Sequence, residues 1–113
     1  MRPTSNLAPI IKDMAARALS YSEIEVSWSI DTSKSGKLNL YLVRCLDKHG
    51  IGVQSVDLDN KSTSFIAEPL LPNTTYYCEL IAGAEPARGQ KPDDCKASAK
   101  SNPVLTPFHC MYN

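Results

Sequence analysis

The residues of this chain best equipped for chemistry are its four cysteines, Cys45, Cys78, Cys95 and Cys110, and its two histidines, His49 and His109. Four cysteines admit three disulfide pairings. Alternatively they are small apolar core residues of a reduced protein. A metal site is the weaker use. Cys95, His109 and Cys110 offer three zinc-type ligands, but His109 abuts Cys110 and no C-x-x-C or H-x-x-H spacing occurs. His49 sits in a Lys-His-Gly turn and reads as solvated. No metal and no cofactor is expected.

Catalytic patterns are missing as well. The paired carboxylates Asp93-Asp94 and Asp57/Asp59 fall in polar loops, where turn and solvation roles outweigh acid–base work. The chain holds no G-x-S-x-G, H-E-x-x-H, P-loop or G-x-G-x-x-G. An enzyme is not expected. Two N-glycosylation sequons occur, Asn60-Lys61-Ser62 and Asn73-Thr74-Thr75, while Asn102-Pro103 is excluded by its proline.

The totals narrow the choice of partner. The 113 residues carry 12 basic and 12 acidic side chains, for zero formal net charge. No basic surplus stands ready to neutralise a phosphate backbone, so no nucleic-acid partner is expected. The apolar runs fall far short of the ~20 residues of a membrane span, so no direct membrane insertion is expected. The opening Met-Arg-Pro-Thr-Ser-Asn has no apolar stretch of the secretory type. An extracellular chain with this start would be a mature form or an excised module. A chain of this length reads as one domain.

Stepping from residues to elements, Ile24, Val26, Trp28 and Ile30 alternate with Glu23, Glu25, Ser27 and Ser29, the signature of a strand with one dry face. Leu38 to Leu46 is a second run, with Tyr41, Val43 and Cys45 on one face and Leu40, Leu42 and Arg44 on the other. Ile51–Leu58 is a weaker strand after the Lys48-His49-Gly50 turn, and Ser62–Ala67 is another. In Thr75–Ala82, Tyr76, Cys78, Leu80 and Ala82 share a face. Ile10 to Leu19 reads two ways. Ile10, Ile11, Met14, Ala15 and Ala18 would make a helical stripe, with Asp13 and Arg17 at i,i+4. The same segment also serves as a strand entered from Ala8-Pro9. Gly83–Cys95, with Pro86, Gly89 and Pro92, reads as a long loop. A last strand within Lys96–Thr106 is limited to an edge, or broken, by Pro103.

The stretch Leu70-x-Pro72-x-Thr74-x-Tyr76-x-x-x-Leu80-x-Ala82 closely resembles the E-to-F corner of fibronectin type III domains. The strand carrying Trp28 resembles strand B of the same family. The resemblance implies an all-β, seven-stranded antiparallel immunoglobulin-like sandwich. It makes Ile10–Leu19 strand A, turns the Tyr41 face inward and places Trp28, Leu70, Tyr76 and Leu80 in the core. It also makes Tyr76 the "tyrosine corner", its hydroxyl returning to backbone near Leu70. Residues 1–7 become a flexible lead-in, 8–107 the domain and 108–113 a tail.

The resemblance carries the remaining expectations. It sets Cys45, late on strand C, beside Cys78, early on strand F. A bridge is then feasible where the Cα atoms oppose at about 5.5 Å. Cys95 and Cys110 would pair if the tail folds back to the F–G loop. A 78–110 bridge is the rival, and it would leave Cys45 and Cys95 at opposite ends. Bridges, and glycans on Asn60 and Asn73, agree with an extracellular location. The implied function is a protein-recognition module of the adhesion, receptor or secreted-antigen type. Its candidate surface is the F–G loop, Arg88, Gly89, Gln90, Lys91, Asp93 and Asp94, beside the loop 31–37. Gln90 stands where an integrin-binding Arg-Gly-Asp would need its aspartate, so that specificity does not carry over. The alternatives are a spacer beside neighbouring domains of a larger chain, and an intracellular domain with free thiols.

Overall fold

The computed structural model describes residues 6–109. Eight strands follow in order: β1 (Ile10–Ser20), β2 (Glu23–Asp31), β3 (Leu38–Asp47), β4 (Gly52–Asp57), β5 (Ser64–Ala67), β6 (Thr75–Ala84), β7 (Lys96–Lys100) and β8 (Val104–Leu105). One sheet has the order β1-β2-β5 and the other β4-β3-β6-β7, with β8 also on β6. All neighbours are antiparallel. The chain folds as the expected all-β sandwich, with strand G in two pieces.

The strands form because their apolar residues recur every second position, as a half-buried pleat requires. Ile24, Val26 and Trp28 of β2 face Tyr41, Val43 and Cys45 of β3 and Tyr76, Cys78, Leu80 and Ala82 of β6 in one buried cluster. Leu70 and Ala67 close it from the edge. Burying each large aliphatic side chain contributes roughly 1.5–3 kcal/mol.

β1 is a strand, and its helix-like spacing has a specific origin. The register runs Lys12↔Ser29 and then Ala15↔Ser27, so one extra residue bulges out of β1. Asp13 lies there at φ 56, a left-handed conformation that aspartate tolerates better than most residues. The bulge moves the inward set from Ile11 to Met14, three positions on, and alternation then resumes through Ala16 and Ala18. The i,i+3 step that imitates a helix is this bulge.

Strand G breaks at Ser101-Asn102-Pro103, where proline removes a ladder donor. Side chains take over the pairing. Ser101 Oγ accepts the Cys78 N–H at 2.9 Å. Asn102 turns its carboxamide to the free edge of β1, accepting the Ala16 N–H at 2.9 Å and donating to the Ala16 carbonyl at 3.0 Å. One amide thus imitates a strand and joins the two sheets.

Loops gather at two poles. The lower pole holds the β1–β2 turn, the turn 48–51, the corner 68–74 and the chain after β8. The upper pole holds Asn6–Pro9 and the loops 32–37, 58–63 and 85–95. At the lower pole the Tyr76 hydroxyl accepts the Leu71 N–H at 3.0 Å, one residue past the expected Leu70. The fully buried Thr106 hydroxyl donates to the Leu71 carbonyl at 2.7 Å and accepts the Thr74 N–H at 3.0 Å. Leu71 is therefore held through both its N–H and its carbonyl.

Candidate recognition surface

The loop 85–95 is built from local turns. Gln90 N–H donates to the Ala87 carbonyl at 2.9 Å, closing a turn with Arg88 at its tip. Gly89 takes the third position at φ 82, the left-handed conformation a type II turn demands there. A 3₁₀ turn, Pro92–Cys95, then leads into β7. Asp94 N–H donates to the Lys91 carbonyl at 3.1 Å, and Lys96 pairs with Asp93 at 3.3 Å. Arg88, Gly89, Lys91, Asp93 and Asp94 are exposed.

Gln90 behaves differently from the other candidate residues. Its side chain is half-buried and turns into the pole. Oε1 accepts N–H groups from Ala87 at 2.8 Å and Asn6 at 3.1 Å, and Nε2 donates to the Asn6 carbonyl at 2.8 Å. Asn6 Nδ2 donates to the Glu85 carbonyl at 2.9 Å, and Leu7 N–H to the Lys34 carbonyl at 2.9 Å. Asn6 and Leu7, expected within a flexible lead-in, are tied to two loops. Polar side chains clustered near turns gave no sequence signal for this arrangement.

The loop 31–37 lies alongside. Its Glu85 N–H to Lys37 carbonyl bond, 2.8 Å, holds it against the end of β6. The Ser33 hydroxyl and amide hydrogen-bond to Asp31 and hold its carboxyl below the ordinary aspartate value. Below this pole a buried relay runs from Trp28 Nε1–H to Tyr41 Oη at 2.7 Å and from Tyr41 O–H to the Ser62 carbonyl at 2.6 Å. Burial raises the Tyr41 phenol above its usual value. Trp28 and Tyr41 were legible as core residues, but their mutual bond was not.

The cysteines divide. Cys45 and Cys78 are opposite one another in the β3–β6 ladder and form a disulfide, fully buried. Cys95 is a free buried thiol, and its expected pairing with Cys110 falls on a residue outside the described ones. Cys95 ends the 3₁₀ turn at the upper pole, its Sγ 3.7 Å from the Asn6 carbonyl. β7 and β8 carry the chain to the lower pole, where His109 stacks on Tyr21 at 4.1 Å. Cys110 itself lies outside the described residues.

The remaining candidates sit in turns. Asn60 and Asn73 are exposed, Asn73 at φ 51. His49 is exposed, its N–H donating to Asp47 Oδ1 at 2.8 Å. Asp59 Oδ1 accepts the Lys61 N–H at 2.8 Å, a turn role. Among the described residues no cluster of His, Cys, Asp and Glu has a metal-holding arrangement.

Residues 9–94 match the sequence model of the fibronectin type III domain. No curated protein matches. Among solved structures, the fn3 domain of human contactin 1 is similar over 100% of this chain and 91% of that one, at 21% identity and a TM-score of 0.70. The FN1–FN3 domains of chicken CNTN1 are similar over 86% of this chain and 32% of that chain, at 26% identity and a TM-score of 0.56. The FN3 domain of human collagen XX is similar over 88% and 98%, at 16% identity and a TM-score of 0.57.

Proposed function

Because the chain belongs to the fibronectin type III family, we propose that it works as an extracellular recognition module, binding a protein partner through the loops of its upper pole. The observation that carries this reading is the loop 85–95. It offers Arg88, Lys91, Asp93 and Asp94 to solvent, while its backbone is anchored by Gln90 on one side and the 3₁₀ turn on the other. A pre-ordered backbone loses little freedom on binding, which favours affinity. The role is recognition rather than catalysis.

The Cys45–Cys78 disulfide supports the extracellular assignment, since cytosolic thiols are kept reduced. Thiol titration of native-source protein is the check. Cys45 and Cys78 stay unreactive without reductant, and Cys95 reacts once the chain is unfolded. Four reactive thiols in the unfolded, unreduced protein would favour the intracellular reading. Glycans on Asn60 and Asn73 belong to the same proposal, and the intact mass of secreted protein before and after deglycosylation tests them.

A spacer role is the second reading. It is favoured by Leu71, Leu105 and Phe108, which are 67%, 59% and 64% exposed at the lower pole, where a neighbouring domain would cover them. One assay separates the two. The oxidised domain, dimerised for avidity, is tested for binding to a panel of cell surfaces, with and without Arg88→Ala, Lys91→Ala, Asp93→Ala and Asp94→Ala together. Binding lost with an unchanged thermal midpoint supports the loop reading. Binding that survives the four substitutions rejects the loop as the surface. No binding to any cell favours the spacer.

A further inference from the structure

We propose that the segment entering the domain is a working part of the upper surface: through Asn6 and Gln90 it sets the conformation of the loop 85–95, so that whatever displaces the entering segment reshapes that loop. The inference deepens the recognition reading and rests on it for its biological meaning. Its physical content stands on geometry alone.

Three segments distant in sequence meet at one reciprocal pair. Gln90 Oε1 takes one N–H from the entering segment, at Asn6, and one from its own loop, at Ala87. Its Nε2 returns a proton donor to the Asn6 carbonyl. Asn6 in turn holds the Glu85 carbonyl at the start of the loop. The same loop is therefore gripped at 85, 87 and 90, and each grip passes through Asn6 or through the side chain that Asn6 orients.

The third segment locks the arrangement sterically. Gly36 packs so closely that a Cβ there would collide with the Glu85 carbonyl and lie 2.9 Å from Asn6 Nδ2. Its backbone needs no left-handed conformation, so the glycine serves close approach rather than a turn. Leu7 is fixed to the same loop through the Lys34 carbonyl. The entering segment is thus wedged between the two loops, with the Asn6 carboxamide on one and the Leu7 N–H on the other.

These bonds are half-exposed, so water replaces them readily when the segment moves. That property suits an adjustable tie. The hydrogen-bond energy is small, so modest tension on the chain before Asn6 suffices to release it. The loop then loses the donor at the Glu85 carbonyl together with the two Asn6 bonds that orient the Gln90 carboxamide, the acceptor of the Ala87 N–H.

Amide hydrogen exchange on the full chain, resolved by NMR, tests the coupling without any partner. Three variants probe it from three sides: deletion of residues 1–7, which leaves the buried Pro9 in place; Gln90→Ala; and Gly36→Ala. In each, exchange at Ala87 should rise roughly tenfold, the worth of one hydrogen bond, while Val43 and Leu80 keep their protection. Ala87 exchange unchanged on deletion would overturn the proposal, because no atom of the loop is removed by it. Should the deletion also loosen Val43 and Leu80, Asn6→Pro decides alone, because it removes only the N–H and carboxamide of the entering segment: a rise at Ala87 supports the coupling and no rise rejects it. Failure of the cell-surface assay leaves this result untouched, so the two readings fail separately.

Discussion

At the lower pole the N–H and carbonyl of Leu71 are gripped by the hydroxyls of two residues that solvent scarcely reaches, Tyr76 at 3% and Thr106 at 0% exposure. At the upper pole the Ala87 amide is gripped by Gln90, which solvent does reach. Both poles use side chains to satisfy backbone groups of a loop, yet they do different work. A buried group left without its partner bears its full desolvation cost, whereas an exposed one is rehydrated. The lower pole therefore carries stability. The upper pole carries shape.

The core is the reference against which both poles are measured. Trp28→Ala removes a buried aromatic ring and the donor to Tyr41, and should cost about 3–5 kcal/mol. A denaturant midpoint shift worth less than ~1 kcal/mol would place Trp28 outside the packed centre.

Next in size come the buried ties of the lower pole. Thr106→Val leaves the Leu71 carbonyl and the Thr74 N–H without partners, a cost on the order of 1–3 kcal/mol. Tyr76→Phe orphans the Leu71 N–H and should fall toward the lower part of that range. Since both hydroxyls hold one residue, Leu71, the double substitution should be non-additive by roughly 0.5 kcal/mol or more. Strict additivity in urea unfolding would mean that the two grips are independent and the comparison too simple.

Gln90→Ala should change stability by less than about 0.5 kcal/mol, even though it removes no fewer hydrogen bonds than Thr106→Val. A loss comparable to that of Thr106→Val would erase the distinction between the poles.

The smallest effect is electrostatic. Glu68 at the lower pole is raised above its ordinary value by a hydrogen bond to Glu23 and by that neighbour's charge. Asp31 at the upper pole is lowered by Ser33. The folded state binds the Glu68 proton more tightly than the unfolded chain does. This pair's repulsion is therefore absent at low pH and appears as pH rises through the raised Glu68 value. For Asp31 the sign reverses, and its contribution disappears as pH falls through the lowered value. NMR titration should find Glu68 above 4.5 and Asp31 below 3.8, the ordinary values, with Glu23→Gln returning Glu68 toward normal. Coincident midpoints would remove the contrast.

Much of the fold was legible in residue order. Period-two alternation in Glu23–Ile30, Leu38–Leu46 and Thr75–Ala82 identifies the central strands, because one face of each must leave water. The Leu70–Ala82 spacing resembles a known corner, and Tyr76 does return its hydroxyl to the backbone there. Pro103 marks the break in the last strand, since proline has no N–H to give. The exposed loop residues Arg88, Lys91, Asp93 and Asp94 were also readable, from turn composition alone.

The rest depended on which distant segments meet. The Asp13 bulge is invisible without β2 beside it, because an i,i+3 apolar step fits a helix equally well. Asn102 becomes an edge-strand substitute only when Ala16 of the other sheet stands before it. Thr106 and Gln90 carry nothing in their neighbours that distinguishes them from ordinary surface residues, yet one is fully buried and the other binds two segments together. Cys95 shows the same limit: only the folded chain brings its thiol to the upper pole, 3.7 Å from the Asn6 carbonyl. Local pattern determines which residues must leave water. Only the closed sandwich decides which polar groups then face each other, because that pairing is set by strand register across the whole chain.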